Sequence, residues 1–305
     1  MTPALQVQGR LFCVLALALA IASLAGARLD AGYELAAAGA LIVTLGVPHG
    51  AFDVVVARRL FGIADLRGWA LFSLIYVGLA VLVVAFWFVA PTPFLFAFLA
   101  VAALHFGGDP ATGASTSSRV LYGGAVIVLP ALWHGAELQR LLGLVAGPES
   151  GAIVASVLGL LAAPWLGATA IACVLRARTS RLAAAEQAAL AALAVAAPPL
   201  VAFTLYFCAM HSPRHILRTL AGLGGRAARC ALAAALWPTA AVLAAAVGVG
   251  ALAGGVPMET RVMQLVFVGL AALTLPHMVL LERARRAGVR ADRRQWKHAA
   301  APSDP

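Results

Sequence analysis

The segment Trp69–Ala90 reads WALFSLIYVGLAVLVVAFWFVA, and none of its 22 residues carries a charged side chain. A helix rises by ~1.5 Å per residue, so about 20 mostly apolar residues cross a hydrocarbon layer roughly 30 Å thick. The segment has the length and the composition that such a crossing requires. We therefore predict that it forms a membrane-spanning helix.

The composition of the whole chain extends this prediction to the other segments. Of its 305 residues, 63% are hydrophobic and only 11% are charged. A water-soluble domain carries about 25% charged residues, which cover its surface. Too few charges are available here for a soluble surface. The chain is therefore predicted to be an all-α, polytopic integral membrane protein.

Similar apolar runs follow one another along most of the sequence. We predict a transmembrane helical bundle over residues 1–283, with about eight to ten helical segments, and a poorly ordered basic cytoplasmic tail over 284–305. The run Leu182–Met210 is long for one helix, and Pro198 and Pro199 remove backbone N–H donors within it, so we predict a break there. The other predicted spans are Leu11–Ala27, Tyr33–Ala57, Trp69–Ala90, Pro93–Gly107, Val120–Leu138, Gly151–Leu175, Cys230–Leu252 and Met258–Leu281.

The basic residues lie in short groups between the apolar runs. The chain has 22 Lys and Arg against 12 Asp and Glu, a formal net charge of +10. Two of the groups are Arg58–Arg67 and Arg176–Arg181, and both fall in the cytoplasm if the N-terminus is inside. This spacing is typical of the cytoplasmic loops of a multi-pass membrane protein. It argues against a nucleic-acid partner.

The histidines are the main functional candidates. Six of the seven lie within or at the ends of apolar runs, and His298 lies in the tail. Ionisable groups are costly inside a bilayer and usually face the interior of the bundle. In the orientation given above, His134 lies near the opposite end of the bundle from the other five. Those five share one leaflet and are His49, His105, His211, His215 and His277.

An interval of four residues recurs among these histidines. On a helix, residues four apart share one face, so two histidines so placed can bind one metal ion. A carboxylate at that interval can orient a metal-bound imidazole. The pairs with this interval are His49 with Asp53, His105 with Asp109, and His211 with His215.

The shared interval and depth favour one metal centre. Neutral imidazole is a ligand for iron, copper, nickel or zinc. We predict that His49, His105, His211 and His215 are the metal ligands. His277 is an additional candidate, while Asp53 and Asp109 are candidates to orient the ligands. Asp109 is the one of the two that more readily fits a structural role.

Other polar and small residues have simpler interpretations. His134 is expected to form a hydrogen bond between helices, and Glu186 to lie at the membrane interface near Arg181. Gly50 and Gly107 allow close helix packing, or they open space beside a metal. The four cysteines stand singly, which argues against a disulfide framework or a zinc knuckle.

Four short motifs resemble the Brp/Blh family of membrane β-carotene 15,15'-dioxygenases. The resemblance extends from about Leu45 to Glu282, and the motifs occur in the family's order and spacing. In this sequence the motifs read Pro48-His49-Gly50-Ala51-Phe52-Asp53, His105-Phe106-Gly107 with Asp109, Tyr206-Phe207 followed by His211-x-x-x-His215, and Pro276-His277-Met278.

The resemblance implies a specific reaction. Members of the family cleave the central double bond of all-trans-β-carotene with O2 and release two molecules of retinal. The resemblance also implies a non-haem iron(II) centre, Fe(2+), with ligands at His49, His105, His211 and His215. Further implications are a place in the inner or plasma membrane of a bacterial or archaeal cell, and a rhodopsin as a possible consumer of the retinal.

Two other classes of function stay open at this point. The histidines and aspartates could form the relay of a transporter or proton-conducting protein, although a relay would be distributed across the bilayer. The chain could also be a non-catalytic module that binds a carotenoid or a metal. Metal content and turnover of a carotenoid distinguish the three.

Overall fold

The computed structural model describes residues 2–110, 114–221, 223–252 and 254–288, and all regular structure in these ranges is helical. The predicted all-α bundle is confirmed. The helices are α1 (Pro3–Leu24), α2 (Ala31–Leu41), α3 (Asp53–Phe61), α4 (Leu66–Val89), α5 (Pro91–Phe106), α6 (Thr116–Val128), α7 (Gly135–Ala146), α8 (Pro148–Ala177), α9 (Arg181–Ala196), α10 (Pro199–Leu205), α11 (Ser212–Leu220), α12 (Gly225–Leu252) and α13 (Met258–Arg286). The predicted tail beyond residue 288 lies outside the described residues.

Two pairs of helices are continuous through irregular helical turns. Helix α2 passes into α3 through a π-helical turn, Ile42–Gly46, and a 3-10 helix, Val47–Phe52. Helix α10 passes into α11 through a second π-helical turn, Tyr206–His211. Single π turns inside helices are often found at functional sites, because they re-aim the side chains they carry. Both irregular stretches carry a predicted metal ligand, as described below.

Prolines set two of the breaks in the bundle. Helix α9 ends at Ala196 and α10 begins at Pro199, as predicted. The segment Val120–Leu138, predicted as one span, is not a straight helix, because the chain bends by 113° between Thr116–Leu132 and α7. The helix tightens into a 3-10 turn that begins at Leu129 and contains Pro130, whose missing N–H cannot continue an α-helix.

Six helical segments in the described residues are long and apolar enough to cross a membrane, or up to seven if the bent pair counts as one. Helix α4 shows the character of these segments most clearly, because none of its residues is buried. Leu66 and Val89 near its ends are each 84% exposed. A helix that is apolar on its exposed sides fits a lipid surrounding. These helices indicate a membrane protein. The six segments are Pro3–Leu24, Ala31–Phe61, Leu66–Val89, Pro148–Ala177, Gly225–Ala251 and Met258–Arg286.

A buried ion pair joins α1, α9 and α11. Glu186 accepts two hydrogen bonds from the Arg214 guanidinium, at 2.7 and 2.9 Å, and neither side chain is more than 1% exposed. The Nε of Arg214 also donates to Gln8 at 2.9 Å. Glu186 is therefore not an interfacial residue. Its proximity to Arg181 in sequence was misleading, because α9 packs in the centre of the bundle and buries the face that carries Glu186.

Gly9 on α1 makes this pair possible. A Cβ at that position would lie 1.9 Å from Glu186 Oε1. We predict that Gly9→Ala lowers the free energy of unfolding by ~1–3 kcal/mol, the usual cost of forcing an extra methyl into a packed site. Thermal unfolding of the purified protein in detergent measures the effect.

Gly159→Ala is the matched control for this prediction. Gly159 lies in α8, and a Cβ there would meet no atom within 4 Å. Alanine at such a helical site is neutral or stabilising by ~0.5–1 kcal/mol. Equal unfolding temperatures for the two variants would contradict the proposed role of Gly9.

Candidate metal centre

Five histidines from four parts of the chain converge inside the bundle. His49 lies in the 3-10 helix before α3, and His105 in the last turn of α5. His211 ends the second π turn, His215 lies in α11, and His277 lies in α13. Their rings pack against one another, with centroid distances from 4.5 Å for His105 and His211 to 6.3 Å for His49 and His105. The sequence-predicted residues are thus brought together.

His277 is part of this group. One ring nitrogen from each of His49, His105 and His277 lies within 4.8 Å of the other two, which is close enough to share one metal ion. The rings of His211 and His215 border the same trio, at 4.9 Å from His49 and 5.1 Å from His277 respectively. The structure therefore places the additional candidate beside the four predicted ligands.

Hydrogen bonds to Nδ1 fix three of these rings. The Nδ1 of His49 lies 2.6 Å from the carbonyl oxygen of Gly46. The Nδ1 of His211 lies 3.0 Å from Asp109 Oδ2, and that of His277 lies 2.7 Å from Asp53 Oδ1. An acceptor at Nδ1 holds the ring proton there and leaves a lone pair on Nε2. With the proton at Nδ1, each of these rings has a free lone pair on Nε2, which is the form of imidazole that a metal ion binds.

Three of the Nε2 atoms in the cluster have no hydrogen-bond partner in the protein. The Nε2 atoms of His211, His215 and His277 are buried and form no hydrogen bond. Buried polar atoms are almost always hydrogen-bonded, so three such atoms in one cluster require an explanation. Lone pairs of neutral imidazoles are the ligands that iron, copper or zinc accept. The donor set fits a metal ion.

The two carboxylates bind different histidines from those that the sequence interval indicated. Asp53 was paired with His49 and Asp109 with His105, but Asp53 bonds His277 and Asp109 bonds His211. Residues 47–52 form a 3-10 helix with three residues per turn, so a separation of four does not share a face. Helix α5 ends at Phe106, so Asp109 lies beyond the helix in which the interval would apply.

Each carboxylate also accepts a hydrogen bond from a tyrosine. Tyr76 of α4 donates to Asp53 Oδ2 at 2.9 Å, and Tyr206 donates to Asp109 Oδ2 at 2.5 Å. The site thus contains two Tyr–Asp–His chains of the same order, each ending at a buried Nε2 without a partner. Tyr206 belonged to one of the sequence motifs. Tyr76 was missed, although a hydroxyl in the middle of the uncharged segment Trp69–Ala90 is a usable signal.

Helix α11 fixes the turn that carries Asp109. Arg218 donates to the carbonyl oxygens of Gly108 and Asp109 at 2.7 and 2.6 Å, and Arg214 reaches the Asp109 carbonyl at 3.3 Å. Pro213 does not break this helix, because it lies within the first two positions, where no N–H is needed. The positions of His211, His215 and Asp109 therefore depend on one another.

A mostly apolar cavity of about 550 Å³ borders the histidines. Its wall includes His49, His105 and His277, and the remaining residues come mainly from α4, α5, α12 and α13. Gly50 lines this cavity, and a Cβ at that position would meet no atom within 4 Å, so the missing side chain leaves open space beside the histidines. Gly107 instead packs closely, since a Cβ there would lie 2.8 Å from the Arg119 carbonyl oxygen.

His134 lies apart from the cluster. Its Nε2 is 3.3 Å from the carbonyl oxygen of Ala196, and its Nδ1 is 3.8 Å from Glu137. These contacts join the start of α7 to the end of α9. The expected role in a hydrogen bond between helices fits this position.

A family comparison covers the whole of this site. The family model described as "Beta-carotene 15,15'-dioxygenase" matches residues 40–283, a range that contains all five clustered histidines and both aspartates. The chain belongs to the beta-carotene 15,15'-dioxygenase family. Two curated relatives support this membership, and no solved structure gives a significant match.

Both relatives match over most of their length. The "Beta-carotene 15,15'-dioxygenase" of uncultured marine bacterium 66A03 is 30% identical in an alignment that covers 80% of this chain and 91% of the relative. The "Probable beta-carotene 15,15'-dioxygenase Blh" of Halobacterium salinarum is 30% identical over 86% of this chain and 87% of the relative.

We predict that Asp53→Asn weakens metal binding by about 10–100-fold, the usual effect of removing a carboxylate that orients a metal-bound histidine. An amide at this position can still accept from His277 but no longer carries the negative charge. Metal retained by the purified protein against increasing chelator concentrations measures the affinity.

Asp65→Asn is the matched control. Asp65 is exposed and caps the first turn of α4, where asparagine is an equally good cap. Metal affinity should be unchanged in this variant. If Asp53→Asn also retains metal as the wild type does, the Asp53 carboxylate does not support a metal site.

Proposed function

We propose that this chain cleaves the central 15,15' double bond of all-trans-β-carotene with O2 and yields two molecules of retinal. One carbon–carbon double bond is broken and two carbonyl groups form, so the two atoms of one O2 balance the overall reaction. The observation that carries the proposal is a cluster of five histidines in a chain of this family. Three of them bury an Nε2 without a hydrogen-bond partner, and the cluster borders an apolar cavity lined by His49, His105 and His277.

We further propose that a non-haem iron(II) ion, Fe(2+), is bound by His49, His105, His211 and His215, with His277 as a further ligand candidate. The grouping of His277 with His49 and His105 supports its inclusion. Bound iron(II) would supply an open coordination position for O2. The chain's own contribution is to keep the ring protons on Nδ1 of His49, His211 and His277, which leaves Nε2 free on each ring.

Asp53 and Asp109 would balance the charge of the ion. Neutral imidazoles add no charge, and an uncompensated divalent ion is costly in a low-dielectric interior. The two carboxylates are only 3% and 4% exposed, and each bonds a clustered histidine. Together they carry the two negative charges that an Fe(2+) ion requires. This role explains why carboxylates are buried at this depth.

The apolar cavity suits a hydrocarbon substrate. β-Carotene dissolves in the bilayer, so an intramembrane site receives it without an aqueous step. Phe207 lies on the cavity wall and its ring stacks on His211, with centroids 5.5 Å apart. Such walls would place the central double bond beside the histidines and exclude water from the reaction.

The proposal places the chain as a multi-pass protein in the inner or plasma membrane of a bacterial or archaeal cell. Retinal is released into the same bilayer in which it was formed. A retinal-binding rhodopsin in that membrane is the consumer that we propose. The apolar helices support the membrane location.

Pigment analysis of a β-carotene-producing host tests the reaction. Cells that express the wild type should lose orange colour and accumulate retinal, whereas cells that express His49→Ala should keep β-carotene, because His49 is in ring contact with four other clustered histidines. Extraction and chromatography of the pigments give both quantities.

His134→Ala is the control. His134 lies outside the cluster, so this variant should form retinal as the wild type does. Unchanged β-carotene with the wild-type protein in the membrane and iron supplied would contradict the proposed reaction. Full activity of His49→Ala would remove His49 from the proposed ligands. Iron content of the purified proteins checks the metal separately from turnover.

A further inference from the structure

A second, smaller cavity lies behind the first. Its volume is about 90 Å³, and its wall is formed by apolar residues of α5, α6, α7, α8, α10 and α13. The two cavities share four lining residues, namely Phe98, Ala102, Phe106 and Phe203. We call Phe98, Phe106 and Phe203 the phenylalanine partition, because all three line both spaces.

Stacking fixes the rings of this partition. Phe98 stacks on Phe94 with centroids 6.0 Å apart, and Phe203 stacks on Phe207 at 5.4 Å. Phe106 lies next to the histidines, with its ring 4.8 Å from His211. The partition therefore stands in a defined position immediately beside the metal ligands. It narrows the space through which a ligand would extend from the first cavity to the second.

The first cavity opens on its other side toward the lipid. Val77 of α4 and Trp237 of α12 line it, yet they are 57% and 82% exposed. Val77 lies ~17 Å along a helix of ~36 Å, and Trp237 lies ~18 Å along one of ~42 Å, at ~1.5 Å per residue. Both positions are near the middle of a candidate membrane span. The opening therefore faces the hydrocarbon core of the bilayer.

A substrate that enters from the lipid would meet the opening first, then the histidines, then the phenylalanine partition and finally the second cavity. A substrate cut at its centre needs equal lengths of chain on the two sides of the metal. The trailing half can extend through the opening into lipid, so its length is not restricted. The leading half meets the partition and a cavity of only about 90 Å³ behind it. Only the space beyond the histidines therefore limits the length of polyene on one side of the metal.

We propose that the second cavity receives the leading end of the polyene, and that the phenylalanine partition determines which double bond lies beside the metal. This inference rests on the proposed function and adds the residues that set its regioselectivity. Phe98 and Phe203 are specificity-determining residues in this scheme, and neither is a metal ligand. Their effect is on the position of cleavage rather than on metal binding.

Phe98→Ala tests the partition. The variant widens the space between the two cavities, so the polyene can slide and bonds away from its centre reach the metal. We expect the ratio of off-centre apocarotenals to retinal to rise about tenfold, which corresponds to ~1.4 kcal/mol of lost positioning. Chromatography of all cleavage products from β-carotene measures this ratio. Iron content should equal that of the wild type.

Phe96→Ala is the matched control, because Phe96 lies on α5 but is 37% exposed and lines neither cavity. Its products should be those of the wild type. If Phe98→Ala and Phe203→Leu both retain metal and give the wild-type product ratio, the partition does not select the bond. A wild type that forms no retinal would instead contradict the proposed function itself.

Filling the second cavity provides a test that does not remove a stacked ring. Ile127 lines only the second cavity, so Ile127→Phe reduces the space for the leading end. We expect cleavage of β-carotene to fall about tenfold, while an apocarotenal that lacks one ring is cleaved at the wild-type rate. An equal loss with both substrates would overturn the role proposed for this cavity.

Discussion

The burial of imidazole nitrogens without hydrogen-bond partners is the constraint on which the rest of this structure depends. A polar group moved from water into an apolar interior without a partner costs roughly 2–7 kcal/mol. The bundle buries three such atoms in one place, on His211, His215 and His277. Hydrogen bonds at Nδ1, from His211 to Asp109 and from His277 to Asp53, hold two of these rings. A metal ion bound by the free lone pairs would remove the cost.

The same requirement explains the irregular helical turns. A regular α-helix over 42–52 would aim its side chains with a period of 3.6 residues. The π turn Ile42–Gly46 and the 3-10 helix that follows change this direction and bring His49 to the cluster. The Gly46 carbonyl then accepts from His49 Nδ1. The missing side chain of Gly46 also leaves room for the Phe207 ring, which would lie 2.3 Å from a Cβ at that position.

Sequence patterns predicted the features that depend on composition and depth. Apolar length gave the helical bundle, and Pro198–Pro199 gave the break between α9 and α10, because both follow from local chemistry. The convergence of five histidines followed from their shared depth. The partners of Asp53 and Asp109 could not be predicted, because they belong to helices distant in sequence. The bend near Pro130 was missed for a related reason, since apolar length alone does not separate a straight span from a broken one.

The centre of the bundle and the candidate metal centre are coupled through α11. Arg214 lies between His211 and His215 in sequence, and its guanidinium is buried against Glu186 of α9. Removing one partner of a buried ion pair costs ~3–5 kcal/mol, because the other charge is left uncompensated. The ion pair therefore holds α11 where two histidines reach the cluster. Conversely, a metal bound only by the folded cluster would stabilise this arrangement of α1, α9 and α11 by mass action. Packing of the bundle and binding at the site are thus two contributions to the same folded state.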